Sequence, residues 1–320
     1  MLELVNPKVR DVVRFGAELV AFRARFGAWN LLDENRATEL AVDRFCTPRG
    51  RRGTLETRGL LEDLTRFAKN AETPDPADVQ RLLESARRDR VTARGHGLRV
   101  YRWSPPAPRG RVLFAHGWEG YALNFGPAIH ALHEEGFEVV AFDNIAHGES
   151  EGARSSLPEF VWGLEAVIEQ TGSYDFTVGH SLGGAALLQC LCRGSLAADE
   201  VIAIAPFADM DRITRQWSGL YGLGSGFGPR LLDGIIDRYG YSIELLDTQY
   251  LAQGIQVPVT IVHDRDDPIV PIRTSRSLAG ASPHVRLVEV EGAGHIGSLF
   301  HPETENSIRR SAERVRESKG

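Results

Sequence analysis

The pentapeptide Gly179-His180-Ser181-Leu182-Gly183 sets a serine between two glycines. The apolar run Phe176–Val178 before it reads as a strand, and Gly184–Cys192 after it reads as a helix. In that context G-x-S-x-G is a nucleophile elbow, a sharp strand-to-helix turn with a strained, exposed serine. The glycines stand where neighbouring backbone comes too close for a Cβ. A serine hydroxyl is a weak nucleophile near neutral pH, so it needs a base within hydrogen-bond reach and a carboxylate to orient that base. His263, His284, His295 and His301 follow both the serine and a further strand. His295 stands out, because Glu291-Gly-Ala-Gly-His295 directly follows the last apolar run, Val285–Val290. That is the carboxyl edge of a parallel sheet, where ligands bind. His263 closes a strand and reads as a packed or hydrogen-bonded histidine. The acid is expected after the preceding strand, Val259–Val262. There His263-Asp264-Arg265-Asp266-Asp267 offers three carboxylates. The spacing Asp267-Pro-Ile-Val-Pro271 favours Asp267, with Asp266 as the alternative.

These residues need a frame. Leu98–Trp103 alternates as an edge strand would. Short apolar runs follow at Val112–Ala115, Val139–Phe142, Phe176–Val178, Val201–Ala205, Val259–Val262 and Val285–Val290, separated by helix-length segments. Such spacing predicts an α/β fold: a mostly parallel central sheet of about eight strands with helices on both faces. Residues 207–254 exceed what one crossover needs and predict a helical cap insertion. Residues 1–90 predict a helical extension, with helices over the Val9–Phe22 region, over Leu60–Phe67 and over Asp78–Arg90. The catalytic domain is expected over 91–320.

Composition narrows the classes. A chain of 320 residues that is 42% hydrophobic and 25% charged has the make-up of a folded soluble protein. A net charge of −6 argues against a dedicated nucleic-acid binder. The first 100 residues are nevertheless net basic, which reads as a solvated helical surface or as a face for a partner. Cys46, Cys190 and Cys192 give no disulfide framework and point to a reducing cytoplasm. Met1–Phe26 lacks the uninterrupted apolar run of a signal peptide, and no stretch approaches a membrane span. No cofactor is implied. His116, His147 and Asp143 are only neighbours of strand ends, so no metal site is expected.

From about Leu98 onward the chain resembles the α/β-hydrolase family. The residues that carry the likeness are Ala115-His116-Gly117-Trp118, Asp143-Asn-Ile-Ala-His-Gly-Glu-Ser150, Gly179-His-Ser-Leu-Gly-Gly184, Asp267-Pro-Ile-Val-Pro271 and Gly294-His295. The resemblance implies the triad order Ser181, Asp267, His295. It also implies an oxyanion hole from the backbone N–H groups of Trp118 and Leu182, and turn-bracing roles for His116 and His147. Three departures stand out. Ala146 sits where glycine is common, Asp264 occupies a position often held by glycine, and residues 1–90 have no place in the minimal fold.

Trp118, Glu119, Tyr121, Asn124 and Phe125 are expected to line the mouth of the site. In the insertion, Trp217, Tyr221 and Phe227 suit a pocket wall, and they equally suit the packing face of an amphipathic helix. These side chains suggest carboxylic esters of small to medium apolar acyl groups, cleaved through an acyl-enzyme. Thioester, lactone or carbon–carbon hydrolysis and acyl transfer use the same triad. A non-catalytic ligand receptor or scaffold is the reading from another class. The expected partner is a small-molecule ester or acyl substrate, without nucleic acid or membrane insertion. A homodimer through the N-terminal helices is a further expectation.

Overall fold

The computed structural model describes residues 7–49, 74–206, 209–224, 226–240 and 247–319. The helix expected over Leu60–Phe67 lies outside them. The strands are β1 (Arg87–Ala93), β2 (His96–Trp103), β3 (Arg111–Ala115), β4 (Glu138–Phe142), β5 (Tyr174–His180), β6 (Ala198–Ile204), β7 (Val259–Asp264) and β8 (Val285–Val290). They form one eight-stranded sheet in the order β1-β2-β4-β3-β5-β6-β7-β8. β1–β2 and β2–β4 are antiparallel, and all later pairings are parallel. This is the mostly parallel α/β architecture that the apolar runs predict. The central strands are nearly unbroken in apolar character because both of their faces are covered.

One boundary differs from expectation. The helix predicted over Asp78–Arg90 is α3, Pro76–Glu84, and the chain turns into β1 at Arg87. β1, not β2, is therefore the edge strand. Arg87, Arg88 and Arg90 are exposed, only Val91 and Ala93 are buried, and charge on an edge discourages pairing with other chains.

The chain divides into two compact units, Met1–Thr47 with Asp209–Ser242, and Pro48–Ala208 with Ile243–Gly320. The smaller unit contains α1 (Pro7–Leu32), α2 (Glu34–Phe45), α7 (Met210–Leu220) and α8 (Phe227–Tyr239). α2 opens on Asp33, whose carboxylate accepts the N–H groups of Asn35 and Arg36. The interior of this unit holds Phe22, Phe26, Val42, Tyr221, Phe227 and Leu231. A Cβ at Gly234 would stand 2.9 Å from Thr38 and Val42, so glycine lets α8 approach α2 closely. Arg23 Nε donates to the Tyr221 carbonyl at 2.8 Å, and Arg238 pairs with Asp43 at 2.6 Å. The described residues up to Thr47 thus form one body with α7 and α8 of the insertion, whereas α3 belongs to the larger unit.

In the larger unit the helices fall into two sets. α5 (Leu157–Thr171), α6 (Leu182–Cys192), α9 (Thr248–Gly254) and α10 (Arg273–Ala281) pack in sequence on one another. α3, α4 (Gly126–Glu134) and α12 (Pro302–Lys319) form the other set. The last helix of the expected insertion, α9, sits on α6 here, with the Cys192 thiol facing the Leu251 carbonyl at 3.5 Å.

Candidate active site

Ser181 lies between β5 and α6 with φ 51° and ψ −116°. Few L residues take this conformation, and it persists only where the surroundings over-determine it. Here they do. The Ser181 N–H donates to Ile204 O at 2.9 Å, and its carbonyl accepts from Ala185 N at 3.0 Å. A Cβ on Gly183 would stand 2.3 Å from the carbonyl oxygens of Ala115 and His116, and one on Gly179 would stand 2.8 Å from the backbone of Gly184. The elbow is pressed onto the end of β3, and only glycine fits.

The same closeness brings the loop after β3 to the serine, since a Cβ on Gly117 would lie 3.0 Å from Ser181 Cβ. Leu182 opens α6, where the first N–H groups of a helix have no acceptor within it and the helix dipole is positive. His116 braces the loop. Its Nδ1 donates to Gly117 O at 2.7 Å and its Nε2 accepts from Asn144 N at 2.9 Å. Burial, then His147 nearby, lowers His116 to about 3. His147 donates through Nδ1 to Ile145 O at 2.9 Å, lies 5.2 Å from the half-buried Trp118 ring, and is lowered by burial to about 4. Both histidines are neutral braces. Ala146, beside them, adopts φ 63°, so the departure from glycine is held at a left-handed position.

On the other side, His295 is the second residue of α11 (Gly294–Gly297). Its Nδ1 lies 2.7 Å from Asp267 Oδ2. With Nδ1–H donating, Nε2 keeps the lone pair that a base needs. Asp267 Oδ1 accepts the N–H groups of Ile269 at 2.8 Å and Val270 at 2.9 Å. Burial alone would raise this carboxyl, but hydrogen bonds from His263, His295 and Val270 outweigh burial and hold it well below the usual carboxylate range. Asp266 is exposed, and its N–H donates to Asp264, so Asp267 is the carboxylate that meets the imidazole.

Two further histidines join this arrangement: His263, packed and hydrogen-bonded as its place at the end of a strand predicts, and His180, which the sequence reading missed. His263 is fully buried; its Nε2 contacts Val270 O at 2.9 Å and lies 3.5 Å from Asp267 Oδ2, while its Nδ1 meets Ser275 Oγ at 2.7 Å. It backs the acid. His180, beside the serine, donates from Nε2 to His295 O at 3.1 Å, with the two rings 4.8 Å apart. Burial, then His295, lowers it to about 3. Its position next to Ser181 was the available signal, but the motif leaves that residue type open.

The expected pocket residues separate. Glu119 is exposed at φ 55°, and its Oε1 accepts the Arg49 N–H at 2.8 Å. Tyr121 and Phe125 are interior residues, with Phe125 packed 4.8 Å from the Phe114 ring. Asn124 caps the turn by accepting the Tyr121 N–H at 2.8 Å. In the smaller unit Tyr221 stacks on Trp217 at 3.9 Å and meets Phe22 edge-on, while Phe227 meets Phe26 at 4.9 Å. The structure thus packs Tyr121 and Phe125 into an interior instead of at an open mouth, and for Tyr221 and Phe227 it displays the packing face that the sequence left open beside the pocket wall. Their apolar faces are used in packing, which removes more surface from water than a pocket lining would.

Residues 106–231 match a family model described as serine aminopeptidase, S33, and residues 232–302 match one described as alpha/beta hydrolase fold. The uncharacterized protein YfhR of Escherichia coli is 26% identical over 71% of this chain and 76% of its own length. Protein phosphatase methylesterase 1 of Candida albicans is 34% identical over 100 residues, 29% of this chain and only 28% of that protein. The structure resembles Est1E of Butyrivibrio proteoclasticus, solved with ferulic acid, with a TM-score of 0.56 and 18% identity over 72% of this chain and 98% of that one. It also resembles an esterase of Pyrococcus furiosus, with a TM-score of 0.58 and 16% identity over 84% and 98%. With five motifs in order on the expected sheet, and with both family models matched in succession, the chain belongs to the α/β-hydrolase superfamily.

Proposed function

We propose that this protein is a serine hydrolase that cleaves carboxylic esters of small to medium apolar acyl groups through an acyl-enzyme. The observation that carries the reading is the 2.7 Å pairing of His295 Nδ1 with Asp267, with the His295 carbonyl tied to His180, the residue beside Ser181. In this reading Nε2 of His295 removes the proton from Ser181 Oγ as Oγ attacks the ester carbonyl. The backbone N–H groups of Trp118 and Leu182 hold the oxyanion, and each such donor contributes about 3 kcal/mol to transition-state stabilisation. The imidazolium, steadied by Asp267, then protonates the leaving alcohol, and water activated by the same nitrogen releases the acid. The esterases and the methylesterase among the similar proteins favour an ester over other acyl compounds. Ile269 and Ile296, 44% and 43% exposed beside the acid and the base, offer apolar surface for the acyl group.

The test is fluorophosphonate labelling followed by a chain-length series of p-nitrophenyl esters, with thioester and lactone substrates in parallel. Labelling at Ser181 and a preference for short to medium acyl chains are expected. A folded protein that takes no label at Ser181 is not a serine hydrolase. A preference for charged or very long acyl groups, or for thioesters or lactones, would overturn the substrate assignment.

A further inference from the structure

Asp264 closes β7 and is fully buried. A carboxylate in that setting is costly unless donors surround it. Its Oδ2 accepts the N–H groups of Ala293 at 2.5 Å and Gly294 at 2.9 Å, the two residues ahead of His295. Its Oδ1 accepts the N–H of Asp266 at 2.7 Å, the residue ahead of Asp267, and its carbonyl faces the Asp267 N–H at 3.3 Å. One side chain therefore ties the loop that carries the base to the loop that carries the acid.

We infer that Asp264 is a positioning residue for the His295–Asp267 pair, an inference that rests on the hydrolase reading for its kinetic consequence. The loop after β8 needs such a tie. Gly292 and Gly294 take φ values of 74° and 65°, and glycines leave a backbone its widest freedom. Nothing covalent fixes their dihedral angles. The Asp264 carboxylate does so with charge-assisted bonds, which are stronger than neutral ones. By the resemblance this position is often glycine, and glycine has no side chain to reach across. In this chain the clamp is an added device, distinct from the three residues of the reaction. The hydrogen bonds of the Asp264 carboxylate go to backbone N–H groups and not to the His295 ring, so its effect passes through the geometry of the pair.

The test uses the full-length protein and the variants Asp264→Asn and Asp264→Gly. Asparagine keeps the shape but turns an N–H donor toward one set of backbone donors, and glycine removes the clamp. Three measurements are made on each: thermal unfolding, kcat and KM on a p-nitrophenyl ester, and the downfield proton resonance of His295 Nδ1–H, assigned by its absence in Asp267→Asn. In folded variants kcat should fall about tenfold to hundredfold, the scale of small misplacements of a catalytic group. KM should stay within about twofold, and the resonance should shift or broaden. Wild-type kcat and an unmoved resonance in a folded variant would overturn the inference, as would a failure of both variants to fold, which would make Asp264 a folding element. If the wild type neither labels nor turns over ester, the hydrolase reading has failed. The resonance then decides for or against Asp264 alone, because it needs no turnover.

Discussion

The serine and the histidine of this site are held by opposite means. The elbow around Ser181 is a backbone construction. Its left-handed φ, its two backbone hydrogen bonds and the glycines at 179 and 183 leave no room for a side chain. The loops after β7 and β8 are a side-chain construction, in which Asp264, Asp267, His263 and Ser275 join segments that glycines alone would leave loose. The nucleophile side should therefore fail when a residue grows. The base side should fail when a charge or a hydrogen bond is lost.

Within the proposed function the largest effect belongs to the reacting group. Ser181→Ala should fold as the wild type by circular dichroism and lose about 10^6-fold in kcat on p-nitrophenyl esters. Substantial residual turnover would move the nucleophile elsewhere. On the base side, Asp267→Asn should cost about 10^4-fold in kcat, because the imidazole loses the group that sets its tautomer. Asp266→Asn should stay within about twofold. The reverse pattern would show that the exposed carboxylate works in a rearranged loop.

This contrast also explains what the sequence could reveal. The elbow was legible because its constraints are local, a strand, five residues and a helix. His295 and Asp267 were legible from their places after β8 and β7, since position at a sheet edge follows from strand order. The role of Asp264 was not, because it depends on partners brought in by another segment, and His263 was legible as a hydrogen-bonded histidine but not as a support of the acid. In the sequence Asp264 was one of three carboxylates after β7 and a departure from glycine. The aromatic residues of 207–254 suited a pocket wall and a packing face equally, and the choice depended on Phe22 and Phe26, about 200 residues away. The Arg87 strand was hidden for a similar reason. An edge strand with one buried face and many arginines carries little apolar signal until β2 is beside it.

The size half of the comparison is tested by Gly183→Ala. The new methyl would meet two carbonyl oxygens at 2.3 Å, and backbone at the end of β3 cannot give way as a flexible side chain could. A loss of about 3 kcal/mol in unfolding free energy is expected, the upper range for overpacking. Denaturant unfolding would show it as a lower midpoint. Wild-type stability would mean that the elbow is looser than its contacts imply.

The charge half also has a pH signature. Asp267 is held below its ordinary value of 3.8 when folded, so the unfolded chain binds its proton first. Its stabilisation is complete above about pH 4 and is lost as pH falls through and below that value. Asp143 has the opposite sign. Burial raises it to about 6 against the bonds from Ala122, Glu149 and Tyr101, so its contribution is full below about pH 4 and fades as pH rises through 6. Wild type and Asp267→Asn share Asp143, which cancels in their difference. That difference in unfolding free energy should be on the order of 2 kcal/mol at pH 7 and should shrink steadily below pH 4. A difference independent of pH would mean that the asparagine variant loses packing and not charge, and the base side would then be held by shape, as the elbow is.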